Sequence, residues 1–259
     1  SGVSEDTGSR DIWRQMDPAI RVEKQGMEDV FWGPTGNAGP CGPTTEIYCT
    51  NANDQDIEIW NLVFNEFFYP GTRDELLSGN SDKKLERLQT PGVDTGMGLE
   101  RLAMIVQKKG TIFETDLFES VKWLDETSLD RKTKRLIIDH LRAAVFLIAD
   151  GIRPSNKERG YILRRLLRRI LGHKKFENTD VSPLIPEGSE IPKVLQQHIL
   201  TAIIDETIRD YGEFYPKLFR ESRNIRDVVD QENKKFLETV DLGIRELKKM
   251  IDINAKKAF

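Results

Sequence analysis

The stretch Val93-Asp94-Thr95-Gly96-Met97-Gly98-Leu99-Glu100-Arg101-Leu102 decides how this chain is read. Two glycines one residue apart, Gly96 and Gly98, let a backbone approach a ligand where a Cβ would stand in the way. From Leu99 to Lys109 the pattern turns helical, with Leu99, Leu102, Ala103 and Val106 on one stripe. Arg101 then lies in or near the first turn, where free backbone N–H groups and a guanidinium together favour a phosphate. Asp94, just before the glycines, is placed to pair with a substrate ammonium. The same residues also suit a plain strand–turn–helix in which Arg101 meets Glu100 or solvent, since the pattern is neither GxGxxG nor a P-loop.

Upstream, Thr44–Cys49 and Ile57–Phe68 read as strands, rich in β-branched and aromatic residues. In an extended Ile57–Phe68, Ile59, Asn61, Val63 and Asn65 share one face, and Glu58, Trp60, Leu62 and Phe64 the other. Two Asn among apolar neighbours either line a small polar pocket or meet water on an edge strand. Before them runs a Gly/Pro-dense loop, Phe31 to Pro43, in which helix is ruled out. Residues 1–29 are polar and read as surface structure, and 70–90 as irregular. Downstream, helices are expected at about 117–127, 132–149, 156–173, 193–212 and 222–250, with the Pro-containing stretch 177–192 as a linker or ordered loop. The last of these helices carries a packing stripe from Ile225 to Leu247. The fold class is therefore α+β, with a β-rich part at 1–115 and an all-helical part at 116–259.

Composition narrows the functions. The 259 residues are 38% hydrophobic, and the longest wholly apolar run, Ala143–Ala149, falls far short of the ~20 residues that span a bilayer. No membrane partner is expected, and no leader for secretion opens the chain. Two cysteines, Cys41 and Cys49, with three histidines make neither a disulfide framework nor a zinc site, so a reducing, cytoplasmic setting is the expectation.

The net charge of −4 hides an asymmetry, because residues 151–175 carry nine basic side chains and one acid. That patch suggests one polyanion-facing surface. Within it, Ser155-Asn156-Lys157-Glu158 has the capping-box form, with Ser155 at the N-cap and Glu158 three residues into the helix. Gly151 suits the left-handed end of the preceding helix. At 100° per residue, Ile162, Leu163, Leu166, Leu167, Ile170 and Leu171 take one side and Arg164, Arg165, Arg168 and Arg169 the other. Four arginines on one face repel one another until acidic neighbours or phosphates relieve them. Asn156, at the exposed tip of this helix, is placed to reach a base edge.

Phe31-Trp32, Gly39-Pro40-Cys41-Gly42-Pro43, Glu58-Ile59-Trp60-Asn61-Leu62-Val63-Phe64, Val93–Leu102 and Arg153-Pro154-Ser155-Asn156 through Arg165 together resemble the alanyl-tRNA synthetase family, in its order and at roughly its spacing. Gly96–Arg101 resembles motif 3 of the class II synthetases, within residues 93–102. The resemblance implies the C-terminal part of an antiparallel class II catalytic sheet at 1–115, then a helical tRNA-recognition domain at 116–259. It implies activation of alanine with ATP and transfer to the 3′ end of tRNA(Ala). By the same resemblance Arg101, Gly96 and Gly98 bind ATP, and Asp94 holds the alanine ammonium. Asn61, Val63 and Gly96 shape the alanine pocket, and Glu58 is the candidate ligand for Mg²⁺. Asn156 helps recognise the acceptor-stem G·U pair, with Arg153, Arg164, Arg165, Arg168 and Arg169 meeting its phosphates.

Nothing in the chain resembles motifs 1 and 2, the second G·U-reading Asp or the zinc-dependent editing domain, so a fragment that is a poor enzyme in isolation is expected. The glycine loop is one residue longer than the family form, and Thr44 stands where Cys or Ser is commoner. The competing reading is a non-catalytic tRNA- or RNA-binding module that keeps a synthetase pocket as a relic.

Overall fold

The computed structural model describes residues 7–127, 129–172 and 193–257, and the chain divides into two compact units, Ser1–Leu117 and Phe118–Phe259. The stretch 177–192, Lys174 and Lys175 lie outside the described residues. In the first unit, β1 (Phe31–Trp32), β2 (Gly39–Thr50), β3 (Asp56–Tyr69) and β4 (Glu86–Met97) form an antiparallel sheet in the order β1-β2-β3-β4. Helices α1 (Thr7–Met16), α2 (Met27–Val30), α3 (Arg73–Ser78) and α4 (Leu99–Val106) accompany it. Phe31, Cys41 and Tyr69 form a buried cluster, with Met27, Phe67, Leu76 and Leu85 packed against it. Burial pushes the Cys41 thiol up to about 11, so it stays protonated and behaves as a small apolar side chain.

Two strands run further than local chemistry suggests. β2 begins at Gly39 and carries the whole Gly39-Pro40-Cys41-Gly42-Pro43 stretch that reads as loop. A register shift between Cys41 and Thr44 accommodates Pro43, and a Cβ on Gly42 would sit 1.6 Å from the Phe64 carbonyl oxygen. Only glycine allows the two backbones to lie that close. β4 begins at Glu86, inside the region that reads as irregular. It is the last strand of the sheet, where Pro91 costs no ladder hydrogen bond. Val93 on it is 63% exposed, so no apolar alternation marks the strand in the sequence.

In the second unit, a 3₁₀ helix at Asp116–Glu126 stands where an α-helix is expected, and it buries Phe118, Val121 and Leu124. Four longer elements follow: α5 (Arg131–Ala149), α6 (Glu158–Leu171), α7 (Lys193–Tyr211) and, after the short α8 (Lys217–Arg220), α9 (Ser222–Lys257). Their contact faces are apolar stripes: Ile137, Leu141, Ala144 and Ile148 on α5, Leu163, Leu167 and Ile170 on α6, Ile203 and Ile204 on α7, Ile225 and Val229 on α9. Asp130 caps α5 through the Thr133 N–H, and Gly151 follows it with φ 91°, as its sequence predicts. No helix among the described residues is long and apolar enough to cross a membrane.

The capping box expected at Ser155 does not form. α6 starts at Glu158, its N-cap is Lys157, and no side chain caps it. Ser155 Oγ instead accepts from the Lys157 N–H and donates to the Lys157 carbonyl, closing a tight local turn. That turn lies on Gly160, where a Cβ would be 2.3 Å from Ser155 Oγ and 2.5 Å from the Arg153 carbonyl. The apolar side of α6 is also narrower than its sequence suggests, since Ile162 is 49% exposed. The box does occur at Thr72 and Glu75, which cap α3 reciprocally.

Candidate functional site

Strand register builds the first part of the site. Thr44 on β2, Val63 on β3 and Asp94 on β4 are cross-strand neighbours, as are Glu46, Asn61 and Gly96 two residues along. Side chains two apart on a strand share a face, so these positions lie together. Asn61 is thus brought beside Gly96 and Val63 beside Asp94, positions 35 and 31 residues apart in sequence. Val63 is buried, whereas Asp94 is exposed and has no ion-pair or hydrogen-bond partner among the described residues. Gly96 opens onto empty space, and a Cβ on Gly98 would meet only the flexible Arg101 side chain. Neither has positive φ, so the local backbone does not require glycine at either position.

A bulge changes the reading of Glu58. Strict alternation puts it opposite Asn61, but Ile47 pairs with Trp60 and Tyr48 with Glu58, leaving Ile59 as the extra residue. Glu58 thereby reaches the Asn61 side, and Asn61 Nδ2 donates to Glu58 Oε1 (3.4 Å) and to Glu46 Oε1 (3.1 Å). Arg101, three residues into α4, donates through Nη1 to the Glu58 carbonyl (2.8 Å) and lies 3.5 Å from Glu58 Oε2. The guanidinium is therefore aimed by Glu58 and still 52% exposed. Both oxygens of Glu58 already face these donors, and no group of three or more metal-ligating side chains occurs among the described residues. In this structure Glu58 holds Arg101 and Asn61.

No sequence motif marks Glu46. It accepts from Thr44 Oγ1 (3.4 Å), Tyr48 Oη (2.8 Å) and Asn61 Nδ2. Its only signal is position, two residues from Thr44 and two from Tyr48, and the pairing with Asn61 needs the strand register. Thr44, Glu46 and Asn61 form one wall of a pocket of about 220 Å³, closed by Trp32, Gly33, Pro34 and Thr35. Arg73, which no sequence motif marks either, braces that loop by donating to the carbonyls of Glu28, Phe31 and Gly33. The volume is below the roughly 300–1,000 Å³ of pockets for drug-sized molecules, which suits a small ligand. Asn61 Oδ1 is shielded from solvent and accepts no hydrogen bond among the described residues. It is an unpaired acceptor, closed off from solvent beside two carboxylates.

The hydrogen bond to Glu46, then burial and the nearby charges of Glu46, Glu58 and Asp29, raise the Tyr48 phenol from 10.0 to about 12. Alkaline titration of tyrosinate absorbance is expected to show one phenol ionising near that value, and Glu46→Gln to lower it. Unfolded chains lose this proton at a lower pH than the folded one. The contribution to stability is therefore complete below pH 10 and lost as pH rises toward 12.

In the second unit the four arginines of α6 separate into two pairs. Glu232 on α9, its side chain 6% exposed, lies 2.7 Å from Arg168 Nε and 3.6 Å from Arg164 Nε. Arg168 also stands over the Phe236 ring at 5.8 Å. Arg164 and Arg168 thus fasten α6 to α9. Arg165 and Arg169 are exposed, with no carboxylate partner among the described residues. Arg153 donates to Asn224 Oδ1 (2.7 Å), and Asn156, exposed in the turn before α6, accepts from Arg164 Nη1.

Residues 2–259 match the family model described as tRNA synthetases class II (A). The chain is similar to the alanine--tRNA ligase of Idiomarina loihiensis, 32% identical over 93% of this chain and 27% of that protein. It is 34% identical to the enzyme of the same name from a Thermoanaerobacter species, over 96% of this chain and 28% of the relative. With that of Thermotoga maritima it is 34% identical, over 99% and 30%. The chain thus spans between a quarter and a third of the length of these relatives. A match over nearly every residue, on a chain whose sheet is antiparallel and runs into helices, identifies it as a member of the class II (A) tRNA synthetase family.

Proposed function

We infer that this chain belongs to a cytoplasmic alanine--tRNA ligase, whose first unit holds alanine and ATP and whose second meets the tRNA acceptor stem. The observation that carries the reading is the sheet face on which Asp94, Asn61, Glu46 and Glu58 converge near Arg101. An exposed, unpartnered carboxylate at Asp94 suits an ammonium, and the neighbouring Val63 suits a methyl group. The bare backbone at Gly96 and Gly98 with Arg101 suits a nucleotide phosphate. In the reaction an alanine carboxylate oxygen attacks the α-phosphorus of ATP and pyrophosphate leaves. A hydroxyl at the tRNA 3′ end then attacks the alanyl carbonyl and releases AMP. Mg²⁺, which ATP-dependent ligation of this kind implies, is not assigned to a residue of this chain.

The test is ATP–pyrophosphate exchange by the full-length protein with each small amino acid in turn. Stimulation by alanine is expected, and exchange driven by another amino acid alone defeats the reading.

On the RNA side, Arg165→Ala or Arg169→Ala is expected to weaken binding of all acceptor stems alike and to lower the salt slope by up to about one. Asn156→Ala is expected to cost roughly 1–3 kcal/mol of discrimination among stems carrying G·U, A·U or G·C, with the salt slope unchanged. Equal losses on every stem after Asn156→Ala would reduce Asn156 to a residue of the helix entrance.

A further inference from the structure

Asn156 and Arg164 are joined in a way that the tRNA-contact reading does not require. The turn carrying Asn156 is held by the Ser155 N–H donating to the Gly160 carbonyl (3.0 Å) and by the bare face of Gly160 beneath it. From this fixed base the Asn156 side chain reaches forward to Arg164, whose Nη1 donates to Asn156 Oδ1. Arg164 is itself placed by Glu232, which is buried and shared with Arg168. A guanidinium has five donors and no acceptor, so only the oxygen of the Asn156 amide can face it. The amide nitrogen is left as the free end of an exposed side chain, and no described residue accepts from it.

We propose that Arg164, anchored by Glu232, is a positioning residue that presents Asn156 to RNA as a hydrogen-bond donor only. The inference rests on the reading of Asn156 as an RNA-contacting residue and goes beyond it, because it fixes which base atoms Asn156 can read. A free NH₂ group selects acceptors, and the shallow minor groove of an RNA duplex offers pyrimidine O2 and purine N3. An unanchored amide rotates and offers its oxygen as readily as its nitrogen, so discrimination depends on the arginine. Arg164 turns Nε toward Glu232 and Nη1 toward Asn156, so its role is to position rather than to contact phosphate, in contrast to the exposed Arg165 and Arg169.

The experiment measures charging of acceptor-stem minihelices with G·U, A·U or G·C at the recognition pair by the full-length protein, with the salt dependence of minihelix binding alongside. Arg164→Ala is expected to reduce discrimination about tenfold, within the range of a lost base-edge contact, and to leave the salt slope unchanged. Added to Asn156→Ala it should cause no further loss of discrimination, since it acts through that amide. Arg164→Lys keeps the charge beside Glu232 but lacks the planar fork that engages two partners, so it stays folded and discrimination still falls. Asn156→Asp keeps the bond to Arg164 and presents an acceptor at its free end, so it should discriminate no better than Asn156→Ala. Retained discrimination in both Arg164 variants, a salt slope lowered by about one, or additive losses in the double variant overturns the inference while leaving the Asn156 reading intact. Unchanged discrimination in Asn156→Ala removes that reading and the inference with it.

Discussion

Replacing Arg101 by Ala is expected to lower alanine-dependent ATP–pyrophosphate exchange by the full-length protein on the order of 10²–10³-fold, the range for losing one preorganised donor at a developing charge. The size follows from how Arg101 is held. It sits three residues into α4, its Nη1 bound to the Glu58 carbonyl at 2.8 Å and close to the Glu58 carboxylate at 3.5 Å. A guanidinium already aimed by the protein needs little reorganisation when charge develops on a phosphate. The ion pair itself is half-exposed, and such pairs contribute little to folding, so the thermal midpoint should move little. Arg101→Lys should recover only part of the loss, because an ammonium lacks the planar fork. Exchange that survives Arg101→Ala would reduce Arg101 to a brace for Glu58.

The second large effect is expected at Asp94. Asp94→Asn should raise the alanine KM or lower kcat/KM by about tenfold or more while the ATP KM changes little, since a charge-assisted bond is worth roughly 1.5–3 kcal/mol. Asp94 is exposed on β4, across from Val63, with no partner of its own among the described residues. It therefore supports no other part of the fold, and the variant should unfold at the same temperature as the parent. A selective change in alanine kinetics at unchanged stability separates substrate contact from scaffolding. Unchanged alanine kinetics would remove Asp94 as the ammonium partner and leave Glu46, which lines the pocket, as the carboxylate to examine.

Sequence by itself determined the parts of this protein that depend on short-range chemistry. The helical periodicity of α5 and α6, the glycine that ends α5, the aromatic and β-branched run of β3 and the passage from Gly98 into α4 all follow from neighbours within a few residues. The family was legible for the same reason, since its motifs are contiguous stretches. Tertiary structure decided whatever depends on partners distant in the chain. Glu58 reaches Asn61 only because Ile59 is extra in the pairing with β2, and no alternation rule can anticipate a bulge set by another strand. Glu46 became visible only when β2 and β3 were in register. The length of β4 depended on its place at the edge of the sheet, where Pro91 and exposed Val93 are tolerated. Four arginines that look alike on a helical wheel became two anchors and two exposed cations because one buried carboxylate, Glu232, arrives from α9, 64 residues beyond Arg168. The capping box at Ser155 failed through packing of its turn on Gly160, which gave the hydroxyl nearer partners at Lys157. Local propensity states what a segment can form, and the fold selects among those options by which groups it brings within hydrogen-bonding distance.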